Sequence, residues 1–168
     1  MEIREISPDE FELVWPVFRA VIERGDTYPY APEMTMDEAR SLWTTPPART
    51  FGAWLHSEQD SEQDGEVVGC YLLRPNQPGL GSHVANCGYM VAPSARGRGV
   101  GGALCEHSLA TARADGYLAM QFNSVVASNV AAVNLWQKHG FAIVGRVPKA
   151  FRHAEHGLTD ILVMHRFL

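Results

Sequence analysis

The chain has 168 residues, of which 46% are hydrophobic and 20% charged, and carries a formal charge of −5 at pH 7. A domain of this size hides roughly two-thirds of its unfolded surface, and the mildly acidic balance excludes the basic footprint of a nucleic-acid binder. No apolar run approaches the roughly 18 residues that cross a bilayer, and "MEIREISPDEF" lacks the basic and apolar regions of a signal peptide, so one cytoplasmic domain over residues 1–168, with no membrane partner, is expected.

"EIREI" alternates as a short strand. "SPDEFELVWPVFRAVIERG" then reads as a helix with Ser7 as N-cap, Pro8 in its first turn and Gly25 past its end, and Pro16 should kink or split it. "DTYPYAPE" is a proline-interrupted loop with two exposed tyrosines, Tyr28 and Tyr30. A short helix capped by Thr35 follows, then two strands, "TFGAWLH" and "EVVGCYLLR", joined by a polar tip "SEQDSEQDG". "SHVANCGYMV" is the next strand, and a helix runs from about Gly99 to Asp115, stopped by Gly116. "YLAMQFNSVVA" is apolar enough to be central and covered on both faces. Asn129 caps a last helix that ends at Gly140, and "FAIVGRV" and "TDILVMHRF" close the chain as strands around the loop "PKAFRHAEHGL". The order β-α-α-β-β-β-α-β-α-β-β mixes hairpins with crossovers. It implies an α/β (α+β) fold with a mixed sheet of about seven strands flanked by about four helices.

Three cysteines, Cys70, Cys87 and Cys105, form no C-x-x-C and read as buried thiols. His153 and His156 have no cysteine or acidic cluster beside them, so no metal is expected. The chemistry concentrates in "VAPSARGRGVGGAL", where four glycines and two arginines fall within seven residues between a strand and a helix. A helix N-terminus has unpaired N–H groups and a partial positive charge. Gly97, Gly99, Gly101 and Gly102 let backbone approach an anion, and Arg96 and Arg98 can add charge-assisted bonds, so a diphosphate fits. The spacing is neither a P-loop, which needs G-x-x-x-x-G-K-S/T, nor a dinucleotide fingerprint within repeated β-α-β units.

This stretch resembles the signature of the GNAT family of N-acetyltransferases, R/Q-x-x-G-x-G/A after a strand ending in V-x-P, with Arg96, Gly99 and Gly101 on the defining positions. "SNVAAVNLWQKHGFAIVG" resembles the family's later asparagine-capped helix leading to G-F and a strand. The resemblance covers nearly the whole chain and implies the GNAT fold, mostly antiparallel, with acetyl-CoA as co-substrate and no metal. It further implies that Tyr89, Met90 and Val91 line the pantetheine, that Arg96 through Gly102, Val100 included, cradle the pyrophosphate, and that Asn129 bonds the pantetheine arm. Where many relatives carry a general-acid tyrosine stands Trp136, expected to be a core residue or to pack by the CoA arm. No glutamate stands on "SHVANCGYMV", so the amine is expected to lose its proton through water, with His83 or Tyr89 as candidate relays.

A narrower likeness concerns the acceptor. "GDTYPY", "RPNQPGLGSHVANCGYMV" and "FNSVVASN" resemble segments of fungal acetyltransferases acting on azetidine-2-carboxylate and related proline analogues, in which paired asparagines meet the substrate. Asn86 and Asn123 occupy those positions as catalytic and substrate-binding candidates, with Thr27 and Tyr28 as further contacts; both asparagines could equally bond neighbouring backbone. The leading expectation is transfer of acetyl to the amine of a small molecule, an amino or imino acid. A protein or peptide acetyltransferase and a non-catalytic acyl-CoA-binding module are the alternatives, and a homodimer is compatible with all three.

Overall fold

The computed structural model describes residues 1–56 and 65–168. Seven strands form one sheet in the order β1-β2-β3-β4-β5-β7-β6: β1 (Glu2–Ile6), β2 (Arg49–Leu55), β3 (Glu66–Pro75), β4 (Val84–Val91), β5 (Ala119–Val126), β6 (Ala142–His153) and β7 (Gly157–Phe167). Every pairing is antiparallel except β4 with β5, where the chain crosses over through a helix. The helices are α1 (Phe11–Ile22), α2 (Met36–Thr44), α3 (Val100–Ala114) and α4 (Val130–Lys138). This is the GNAT fold expected from the sequence. The tip expected over "SEQDSEQDG" lies, but for Gly65, outside the described residues.

Alternation along β2 assigns the two faces. Phe51 stacks on Tyr71 at 4.6 Å and meets His107 of α3, while the next residue, Gly52, faces Val14 of α1. β2 and β3 are thus covered on both sides, α1 burying Phe11, Val14, Val17, Phe18, Val21 and Ile22 on one face. That burial explains why Pro16 does not split α1, which runs unbroken from Phe11. Proline there forfeits a bond only to Glu12, in the first turn, and packing outweighs the loss. Ser7 caps a 3-10 turn, Pro8–Glu10, that leads into α1, and its N–H donates to Glu10 Oε2 at 2.9 Å.

The closing hairpin departs from the expectation. "PKAFRHAEHGL" is mostly strand, and β6 and β7 pair from Ala142 to His153 with a turn only at residues 154–156. Pro148 is tolerated because β6 is an edge strand whose register shifts between Val147 and Phe151. At that bulge Lys149 takes a φ of 55° and its N–H donates to Asp160 Oδ1 at 2.9 Å.

α2 begins with a reciprocal cap. Glu38 N–H donates to Thr35 Oγ1 at 3.3 Å, and Thr35 N–H donates to Glu38 Oε2 at 2.8 Å. Thr35→Ala should therefore lower stability by about 1 kcal/mol, read as an earlier urea midpoint with an unchanged slope. An unmoved midpoint would mean that the cap contributes nothing to the folded state.

Candidate active site

The site begins where a ladder ends. β4 and β5 pair only over Val84–Asn86 with Ala119–Gln121, and past Asn86 the two strands part. A cavity of about 780 Å³ opens between them, reaching from Asn86, Arg74 and Asn123 to the glycine-rich loop and α4. Tyr89, Phe122 and Trp136 fill the base of the gap, with Trp136 4.7 Å from Tyr89 and 5.0 Å from Phe122, ring centre to ring centre. Trp136 is buried and borders the cavity.

At one end stands the start of α3. Gly97 and Gly99 have φ of 76° and 82°, left-handed values that side chains other than glycine's rarely adopt, and open space surrounds the missing Cβ of each. The N–H groups of Gly97, Gly99, Val100, Gly101 and Gly102 find no backbone acceptor among the described residues, as helix-starting donors must. All five residues and Arg96 border the cavity; Arg98 is exposed and does not. Asn129 caps α4 through its side-chain carbonyl, which accepts from Ala132 N–H at 3.2 Å, leaving its own N–H pair for other partners.

At the other end the asparagines are less free than two carboxamides in apolar strands should be. Asn86 Nδ2 donates to Gln121 O at 2.9 Å. Asn123 is exposed, donates to Asn76 Oδ1 at 2.7 Å and accepts from Gln121 Nε2 at 2.9 Å. β5 is central, but it is not covered on both faces, because Asn123 looks onto the cavity. Each amide retains a second N–H for a ligand.

The loop "GDTYPY" borders the cavity, with Thr27 and Tyr28 on its wall. The tyrosines there are half-buried rather than exposed. Tyr30 stacks on Phe18 at 5.7 Å and accepts from Trp43 Nε1 at 3.2 Å. Tyr28 reaches the strand because residue 88 is glycine: a Cβ there would stand 2.7 Å from the phenol oxygen. The loop is fastened to the tip of the β6–β7 hairpin, where Ala154 N–H donates to Gly25 O at 2.9 Å. His153, on the same tip, accepts at Nδ1 from the N–H groups of Glu155 and His156, and it too borders the cavity.

The ionisable groups sort by environment. Burial holds the Tyr28 and Tyr89 phenols protonated far above the ordinary range. Ser108 Oγ donates to Cys105 O at 2.8 Å, so Tyr89 donates to Ser108 Oγ at 2.7 Å and its proton is directed into the core. That removes Tyr89 as a relay, and His83, exposed beyond the start of β4, does not border the cavity. Cys87 lines the wall with a thiol raised by burial. Asp26 is a carboxylate that residue-by-residue reading passed over. Burial raises it, but the bonds and charge of Arg24 and the charge of Arg96 outweigh this and hold it below the ordinary range. Its Oδ2 is 2.7 Å from Arg24, while the buried Oδ1 has no partner among the described residues. Nothing local distinguishes Asp26 or Arg74 in the sequence; the loop after α1 brings the one to the cavity and the register of β3 on β4 the other.

The Acetyltransferase (GNAT) family model matches residues 12–141. The chain belongs to this family. N-acetyltransferase aca1 of Schizosaccharomyces pombe is 30% identical over 84% of this chain and 72% of its own length. The solved structure of a GCN5-related N-acetyltransferase from Kribbella flavida is 44% identical and superposes with a TM-score of 0.88, over 99% of this chain and 97% of that one. A GNAT superfamily phosphinothricin acetyltransferase from Sinorhizobium meliloti, solved in complex with acetyl-CoA, shares the fold at a TM-score of 0.82 and 18% identity, over 99% of this chain and 88% of its own. This GNAT enzyme is thus an N-acetyltransferase whose acyl donor is acetyl-CoA.

Transfer requires the neutral amine. With Asp26 held low it stays ionised at neutral pH, and with Tyr28 and Tyr89 held high neither phenol ionises below pH 10. For an acceptor amine of pKa near 10, kcat/KM should rise about tenfold per unit between pH 7 and 9, following the free amine, with no fall from tyrosine ionisation. A plateau reached by pH 7.5 would reveal an internal base of higher pKa than Asp26.

Proposed function

We propose that this enzyme acetylates the amine of a small amino or imino acid. The observation that carries the reading is the set of donors at the acceptor end, where Asn86 and Asn123 each keep an N–H and Thr27 and Tyr28 border the same cavity. A few placed polar groups in one cavity suit a small substrate that bears a carboxylate.

In this reading Tyr89, Met90 and Val91 border the pantetheine, whose amides take up the β4 backbone groups left without a strand neighbour. The free N–H groups of Gly97 and Gly99 through Gly102, with the start of α3 and Arg96, hold the pyrophosphate. Arg98 adds charge from outside. Asn129 donates to the pantetheine arm with the N–H pair its cap leaves over, and Trp136 packs beside that arm without moving a proton, since indole is a donor only. At the acceptor end Thr27 and Tyr28 bound the amine, and Asn86 and Asn123 present N–H groups to the substrate carboxylate. A thiol of ordinary pKa about 8.5 leaves tolerably without a dedicated acid.

Two measurements test this assignment. Gly101→Asp places a Cβ 3.2 Å from Leu135 Cδ2 and a negative charge at the anion site; acid in a first helical turn does not harm folding. Calorimetry should show CoA bound at least about tenfold more weakly, with unchanged circular dichroism, and equal affinity would sink the loop assignment. For the acceptor, kcat/KM should be far higher for azetidine-2-carboxylate than for azetidine, because a site built to bond a substrate group rejects analogues without it. Asn123→Ala should lower kcat/KM for the acid at least about tenfold, roughly 1.4 kcal/mol of transition-state stabilisation. Equal use of both amines by the parent, or preference for a lysine peptide, would replace this reading with a protein acetyltransferase.

A further inference from the structure

Arg74 stands on β3 directly opposite Asn86 of β4, and both border the cavity. None of the ion pairs among the described residues includes it. Arginines elsewhere are accounted for. Arg4, Arg19, Arg24, Arg40, Arg49 and Arg146 each meet a carboxylate, and Arg166 donates to the carbonyls of His139 and Phe167. Arg96, Arg98, Arg113 and Arg152 have no such partner but are exposed, where water solvates them. Arg74 alone among the arginines of the described residues combines partial burial with the lack of a carboxylate or carbonyl partner. A guanidinium withdrawn from water needs a counter-charge, and the cavity is the space it adjoins.

The register separates that counter-charge from the acyl donor. Arg74 pairs with Asn86, whereas the glycine-rich loop follows Val91. Five residues of strand lie between, about 16 Å at roughly 3.3 Å per residue. An anion at Arg74 therefore belongs to the acceptor and not to the pyrophosphate.

We propose that Arg74 binds the carboxylate of the acceptor, as a planar two-pronged donor beside the remaining N–H of Asn86. This rests on the reading of the acceptor as a small amino or imino acid and names the residue that selects it. Arginine suits the task because its rigid fork matches both oxygens of a carboxylate. The same pairing acts on the nucleophile. A free carboxylate next to an amine stabilises the ammonium, and neutralising it against Arg74 withdraws that stabilisation, favouring the neutral amine without a base. A cationic lysine side chain meets the opposite field at this end of the cavity.

The test compares azetidine-2-carboxylate with azetidine in the parent, Arg74→Gln and Arg74→Lys, with acetyl-CoA saturating. Arg74→Gln should raise KM for the acid at least about tenfold, and should lower kcat for the acid at pH 7 by an amount that shrinks as the pH approaches the amine pKa. It should leave azetidine and CoA affinity unchanged. Arg74→Lys should recover part of the loss, since it restores the charge without the fork. A folded Arg74→Gln that keeps the parent's preference for the acid overturns the Arg74 assignment and leaves the small-acid reading standing. A parent with no preference overturns both. Should Arg74→Gln not fold, Arg74→Lys decides: a KM for the acid raised at least about threefold, with azetidine unaffected, upholds the assignment, and an unchanged KM overturns it.

Discussion

Three residue pairs, Val84 to Asn86 against Ala119 to Gln121, hold β4 to β5, and everything the enzyme can do follows from their being so few. Had the ladder continued, the backbone of β4 beyond Asn86 would be paired and the sheet closed. Instead the aromatic group of Tyr89, Phe122 and Trp136 occupies the widening gap from one side, and a run of β4 backbone faces a cavity. Buried backbone groups require partners, which is why the parted strands are the place proposed for the amide-bearing pantetheine. The antiparallel pairs on either side keep their ladders, with local register shifts, so the parting is confined to the one parallel pair.

The two ends of the gap are prepared differently. At the loop end the donors belong to the backbone and are fixed by helix geometry, with glycine at the left-handed positions. At the far end they are side chains, two of them amides already engaged with Gln121 and Asn76. Backbone donors cannot be changed without refolding α3, whereas side chains can be exchanged singly. Conserving the acyl donor while varying the acceptor is easy in such an arrangement.

Features set by short-range chemistry were legible in the sequence. The caps at Thr35 and Asn129, the glycine stops, and the glycine-rich turn into α3 each depend on residues within a few positions of one another, and they stand where the pattern placed them. Features set by strand register were not. "PKAFRHAEHGL" reads as a loop because proline, lysine and glycine are turn residues, yet an edge strand with a bulge absorbs them. Tyr28 and Tyr30 lie in a proline-broken stretch that promises exposure, but Phe18, Trp43 and Gly88, all distant in sequence, provide their seats. Arg74 is one charged residue at the end of an apolar strand, and only its pairing with Asn86 brings it to the cavity.

Cys87 borders the cavity proposed to hold the thioester, and a cysteine so placed could have served as a covalent way-station. Burial prevents it. The nucleophile in such exchanges is the thiolate, and the apolar surroundings keep this sulfur in its inert, protonated form. Without that way-station, the proposed route passes acetyl directly from donor to amine with both held at once. On that route double-reciprocal plots at several fixed acceptor concentrations intersect and no burst of free CoA precedes the amine, whereas parallel plots would mark a covalent intermediate.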